Sequence, residues 1–97
     1  MNLENLSAAA IQLLKDLIEI PSLSSEEQQT AKRIEVWFNV NDIPFNRNQN
    51  NVWAVNKYFE TSKPTLLLNS HHDTVKPNNG YTKDPFKAQV EAGKLYG

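Results

Sequence analysis

The chain contains no cysteine in its 97 residues, which excludes disulfide staples and thiolate metal sites together. It has no stretch of ~18 consecutive apolar residues, the length a membrane-spanning helix requires. Charge of one sign is missing too. Ten basic residues against eleven acidic ones leave a formal net charge of −1, with the basic side chains scattered. That balance gives no electrostatic reason to expect nucleic acid or an anionic membrane as a partner. Glu4 stands where a cationic leader would begin, and Gln12, Lys15 and Asp16 interrupt the apolar stretch behind it. No secretory signal is therefore expected, and the cytoplasm is the expected compartment. Repeats, low-complexity tracts and internal linkers are absent as well.

What is present describes an ordinary folded chain. Apolar residues make up 39% and charged residues 22%, enough for one domain, 1–97, with a single modest core. Leu6, Ala10, Leu13, Leu14, Leu17 and Ile18 follow the spacing of one helix face, which predicts a helix from about Leu6 to Ile20. Asn5 or Ser7 is the expected cap, and Pro21 the expected stop. Ser24 and Glu27 read as a capping box for a second helix, with Ala31, Ile34, Trp37 and Phe38 as its buried stripe. It should fail near Asn39 to Asp42, ahead of Pro44. Phe45–Arg47 and Val52–Phe59 predict strands around an Asn-rich turn. Phe86–Val90 and Lys94–Tyr96 predict a hairpin, with Gly93 available for a positive φ. Trp37, Phe38, Trp53 and Phe59 are expected in the core rather than on a ligand platform.

The chemistry concentrates in Thr65-Leu66-Leu67-Leu68-Asn69-Ser70-His71-His72-Asp73-Thr74-Val75. The near-continuous apolar run after Pro64 predicts a strand buried on both faces, as in a sheet covered by helices. In open α/β sheets, ligands bind just beyond the carboxyl ends of strands. Side chains alternate along extended backbone, so His71 and Asp73 should share one face and His72 should take the other. Imidazole is the commonest metal ligand, and a nearby carboxylate fixes its tautomer. Taken alone, however, the cluster reads equally as a local His71–Asp73 hydrogen bond with His72 solvated, because metal centres need three or four protein donors. Lys76 could meet an anionic substrate group, although a solvated loop lysine is the simpler reading.

Four pieces of sequence, in order, resemble one family. Leu68-Asn69-Ser70-His71-His72-Asp73-Thr74-Val75 is similar to the His-x-Asp-[Thr/Val]-Val signature of the dizinc acetylornithine deacetylase, succinyl-diaminopimelate desuccinylase and carboxypeptidase G2 family. Ile20-Pro21-Ser22, Asp84-Pro85-Phe86 and Gly93-Lys94-Leu95-Tyr96-Gly97 resemble further family motifs. Thr74 favours the acetylornithine deacetylase branch, whereas His72 and Tyr81 depart from its usual Thr and Trp. The resemblance implies an α/β fold: the N-terminal part of a zinc-exopeptidase-like catalytic domain, with two helices on a mixed sheet and a closing hairpin. It implies His71 as a zinc ligand and Asp73 as the catalytic-site acid that orients and polarises it, with His72 outside the ligand set.

The cofactor so implied is a pair of Zn2+ ions about 3.5 Å apart, with Co2+ an alternative, activating water and polarising an amide carbonyl. The implied reaction of the longer parent is hydrolysis of an N-acyl amino acid such as N-acetylornithine, in arginine biosynthesis. A metallo-dipeptidase or a desuccinylase is the alternative within the family. The bridging aspartate, the Glu-Glu pair, the remaining carboxylate ligand, the last histidine and the dimerisation domain have no counterpart in these 97 residues. Asp84, Glu91 and Glu60 fall outside the motif positions. The chain by itself is therefore expected to be inactive, and the full-length protein to be a homodimer. The alternative of another class is a non-catalytic domain that self-associates through an uncovered strand edge.

Overall fold

The computed structural model describes residues 2–97, in the order α1 (Leu3–Ile18), α2 (Gln28–Val40), β1 (Asn46–Asn48), β2 (Asn51–Trp53), β3 (Gln89–Glu91) and β4 (Lys94–Tyr96). Helix α1 starts earlier than its apolar stripe. Asn2 is the cap, and its side-chain oxygen accepts the Asn5 N–H at 2.8 Å, so neither Asn5 nor Ser7 takes that role. An Asn just before the first turn satisfies an otherwise orphaned amide, and the helix extends to meet it. Helix α2 begins at Gln28 with no side-chain cap, so the expected Ser24–Glu27 box does not form. The cause is tertiary. Leu23 is bridged to Thr74, Glu26 N–H turns back to the Leu23 carbonyl at 2.7 Å, and Ser25 takes a φ of 71°. The chain thus enters α2 from a turn that leaves Ser24 no approach to the first helical amides. The helix ends as its sequence predicts, with Asn41 Nδ2 donating to the Trp37 carbonyl and Asp42 left-handed at φ 55°.

The two helices are tied by Arg33, which donates to Asp16 at 2.5 Å. The β1–β2 hairpin turns through Gln49-Asn50 and leans on α2. Phe45 stacks on Phe38 at 5.7 Å between centroids, Trp37 meets Phe38 edge-on at 5.8 Å, and Arg47 pairs with Glu35. Strand β2 stops at Trp53 rather than Phe59, because its three-residue partner is exhausted and Asn56 caps a turn through Tyr58 N–H. Trp53 and Phe59 are consequently half-exposed rather than core. The β3–β4 hairpin forms with its second arm where expected and its first at Gln89–Glu91 rather than Phe86–Val90, and its Ala92-Gly93 turn carries positive φ at both residues, as a type I′ turn requires.

The largest departure is the run Thr65–Ser70. It lies in no strand, and Leu66, Leu67 and Leu68 are 82%, 79% and 86% exposed. The α/β class stands, but the mixed sheet does not form among the described residues; two separate two-stranded antiparallel sheets take its place. A strand buried on both faces needs a backbone partner at its edges and a layer over each face. The four strands present are three residues long and satisfy one another in pairs. The molecule is correspondingly open. Its radius of gyration is 15.6 Å, against ~12.5 Å for a compact chain of this length. Its accessible surface is 8015 Å², against ~5,700 Å² for a compact monomer of this mass.

Candidate metal centre

The tightest packing in the described residues surrounds the His-His-Asp segment. Ser22, Thr30 and Ala31 are buried to 1%, 0% and 0% exposure. Ser22, just past the Ile20-Pro21 exit of α1, holds that segment twice. Its carbonyl accepts the Thr74 N–H at 2.7 Å, and its hydroxyl donates to the His72 carbonyl at 2.9 Å. Pro21 ends the helical run and Ser22 supplies a short polar side chain, so the turn out of α1 becomes the seat of the site.

With the backbone held there, alternation separates the two imidazoles as the sequence predicts. His72 turns inward. Its Nδ1 lies 2.7 Å from the Thr30 hydroxyl on α2, and its Nε2 lies 2.9 Å from the Asn50 carbonyl in the β1–β2 turn. A carbonyl only accepts, so Nε2 carries a proton; in the neutral ring Nδ1 then accepts from the Thr30 hydroxyl, which also lies 3.0 Å from the Glu27 carbonyl of its own turn. Both nitrogens are occupied by protein, which leaves His72 no lone pair for a metal. It is not solvated either, contrary to the local-pair alternative.

His71 turns outward, with its side chain 83% exposed. Its Nδ1 sits 3.0 Å from Asp73 Oδ1 and 3.0 Å from the Asp73 carbonyl. Both oxygens only accept, so Nδ1 carries the proton and, in the neutral ring, Nε2 is left with its lone pair facing open space. This is the arrangement in which metal-ligating histidines are found, one nitrogen fixed by a carboxylate and the other free. The residues therefore fit one donor of a metal centre. Among the described residues, no group of three or more His, Cys, Asp or Glu side chains converges, so the arrangement supplies one donor and not a closed set.

A cleft of about 220 Å³ opens beside the segment, between the end of α1 (Leu17, Ile18, Ile20) and Val75, Lys76 and Phe86. A second, of about 290 Å³, lies among Tyr81, Lys83, Asp84 and Tyr96, where Lys83 sits 4.6 Å from the Tyr96 ring centroid and 3.0 Å from Glu91. Sequence reasoning gave the His71–Asp73 pairing and the opposite facing of His72. It missed Ser22, Thr30 and Asn50 as holders of the segment. The one available signal was that an inward histidine must find polar partners for both nitrogens, which says that partners exist and not which residues they are.

No family model matches the chain. Individual proteins do. It is 32% identical over 97 residues to a succinyl-diaminopimelate desuccinylase of Gluconacetobacter diazotrophicus, covering 94% of this chain and 25% of that protein. It is 32% identical over 110 residues to an acetylornithine deacetylase of Salmonella agona, covering 98% of this chain and 28% of that protein. A probable succinyl-diaminopimelate desuccinylase of Staphylococcus aureus is 32% identical over 91 residues, covering 90% of this chain and 23% of that protein. The chain spans about a quarter of the length of the curated relatives it matches. With matches of this kind running across nearly its whole length, the chain belongs to the family of succinyl-diaminopimelate desuccinylases and acetylornithine deacetylases.

Proposed function

We propose that this segment contributes one metal ligand to a zinc-dependent amide hydrolase that releases an acyl group from an N-acyl amino acid. The observation that carries this is the His71–Asp73 pair at 3.0 Å, which leaves Nε2 of an exposed imidazole free. The relatives' names support an amide bond between a small acyl group and an amino-acid amine as the target. His71 would hold the ion through Nε2. Asp73 would keep the proton on Nδ1, so that the ring stays in the tautomer that can donate electrons. Zinc, when bound, supplies Lewis-acid polarisation of an amide carbonyl and activation of water. Thr74 favours N-acetylornithine as the substrate, with the succinyl analogue as the competitor that the desuccinylase relatives support. A homodimer in the cytoplasm is the corresponding expectation for a protein of the relatives' length.

One donor holds zinc weakly, so these 97 residues should bind the ion without hydrolysing substrate. Zinc titration followed by the imidazole 15N resonances tests the assignment. The expected result is a change at His71 Nε2 that disappears in Asp73→Ala together with most of the affinity, and altogether in His71→Ala. Unchanged binding in His71→Ala removes this residue from the site. In a protein of the relatives' length carrying this segment, His71→Ala should abolish release of acetate from N-acetylornithine, and succinate release from N-succinyl-diaminopimelate is the comparison assay. A second role is supported by the bare run Leu66–Leu68, through which the isolated chain would self-associate. Sedimentation across micromolar concentrations tests that; a monomer throughout refutes it.

A further inference from the structure

We infer that His72 is the positioning residue for the proposed ligand: it clamps α2 and the β1–β2 turn against the segment that presents His71. Three separate bonds converge on this one residue. Thr30 of α2 meets Nδ1 at 2.7 Å, the Asn50 carbonyl of the turn meets Nε2 at 2.9 Å, and Ser22 donates to its main-chain carbonyl at 2.9 Å. The partners lie 42, 22 and 50 residues away in sequence, so four remote pieces of chain, its own included, meet at one residue, two of the partners at its ring and one at its main-chain carbonyl. The two polar residues almost completely removed from solvent, Ser22 and Thr30, both bond to it, Thr30 while also reaching the Glu27 carbonyl.

Residues 64–70 offer His71 no support. They make no backbone ladder, and their leucines are exposed, so no strand fixes the carbonyl end of the run. What fixes the direction of His71 is therefore its neighbour. With the His72 ring held inward at both ends and its carbonyl tied to Ser22, alternation forces the adjacent side chain outward. There the Asp73 carboxylate, two residues on and beside the Ser22–Thr74 bond, can reach Nδ1 of His71. Histidine suits this position because it is the side chain that can accept at one edge and donate at the other within a single rigid ring. A hydroxyl or an aliphatic side chain at position 72 could not span Thr30 and Asn50 together.

The role rests on the metal-ligand reading of His71 but can be tested separately from it. Thr30→Val removes the hydroxyl at nearly constant shape, Thr30→Ser restores it, and His72→Gln keeps an Nε2 donor that can address Asn50 while its acceptor, Oε1, sits one bond further out than Nδ1 and away from Thr30. Ring 15N spectra report which nitrogen of His71 and His72 carries the proton. In the unsubstituted chain His72 should be the Nε2–H tautomer and His71 the Nδ1–H tautomer. Thr30→Val and His72→Gln should scramble the His71 tautomer and lower its Zn2+ affinity about tenfold, the scale seen when a ligand's supporting partners are lost; Thr30→Ser should restore both. A His71 spectrum and zinc affinity unmoved by either variant overturn the positioning role. If Thr30→Val fails to fold, an Nδ1–H tautomer at His72 in the unsubstituted chain overturns it without any substitution. If zinc never perturbs His71 but its tautomer still responds to position 72, the metal reading fails and the clamp stands.

Discussion

Leu67→Ala separates two incompatible accounts of the run Thr65–Ser70. In a strand buried on both faces, removing a leucine side chain costs ~2–5 kcal/mol, through lost transfer energy plus the cavity left behind. Leu67 is instead 79% exposed, so about one-fifth of its surface leaves water on folding. Burying a whole leucine side chain is worth ~1.5–3 kcal/mol, and one-fifth of that is ~0.3–0.6 kcal/mol. There is no packed surround to leave a cavity in. Urea unfolding followed by far-ultraviolet circular dichroism, dominated by α1 and α2, should show the midpoint almost unmoved. Amide hydrogen exchange adds an independent check. The segment makes no backbone ladder, so the amides of residues 66–70 should exchange unprotected while those in mid-α2 are retained. A loss above ~2 kcal/mol, or slow exchange across 66–70, would refute the exposed arrangement and restore the buried strand.

The Asp16–Arg33 pair sets a pH dependence. Hydrogen bonds from Arg33 and then Gln12 hold the Asp16 carboxyl below its ordinary 3.8. A depressed carboxylate contributes stability above its unfolded value, and that contribution is lost as pH falls through the lower folded value. Arg33→Ala should therefore cost ~0.2–1 kcal/mol near neutrality and nothing in strong acid, as read from urea midpoints at several pH values. Ser22→Ala deletes the hydroxyl that serves the His72 carbonyl and should cost about 1 kcal/mol, with the Thr74 amide bond surviving in exchange spectra. Asn2→Ala should lose about 1 kcal/mol of helix-end stability, visible as fraying of the first turn of α1. Gly93→Ala places a side chain at φ 76° with open space around it, so backbone strain alone should cost about 1 kcal/mol.

What the sequence made legible follows from how local each determinant is. The stripe from Leu6 to Ile18 and the stop near Asn39 to Asp42 are set within a turn or two of chain, and both appear where expected. The turn into Lys94–Tyr96 is likewise local, with positive φ at Ala92 and at a Gly93 that tolerates it. The facing of His71, His72 and Asp73 follows from the two-residue period of extended backbone. Apart from the α1 cap, which sits at Asn2 rather than Asn5 or Ser7, the failures are cases where a distant partner decides. Leu66–Leu68 carries a strand-like composition, yet no strand among the described residues lies alongside it. Ser24 and Glu27 have the spacing of a cap, but the Leu23–Thr74 bridge sets the entry to α2. Val52–Phe59 has strand propensity for eight residues and a partner for two of them, Val52 and Trp53. Nothing local to His72 names Thr30 or Asn50.

The bond from Ser22 to His72 closes a loop of 50 residues. Bringing such ends together costs on the order of 3.5 kcal/mol of chain entropy, beyond the constant that any closure carries. The helices and both hairpins can form before that closure, whereas the outward imidazole acquires its aim only after it. The donor is thus a late product of assembly and an early casualty of loosening. Affinity for an ion at that ring should fade under mild denaturant while helical content is still intact.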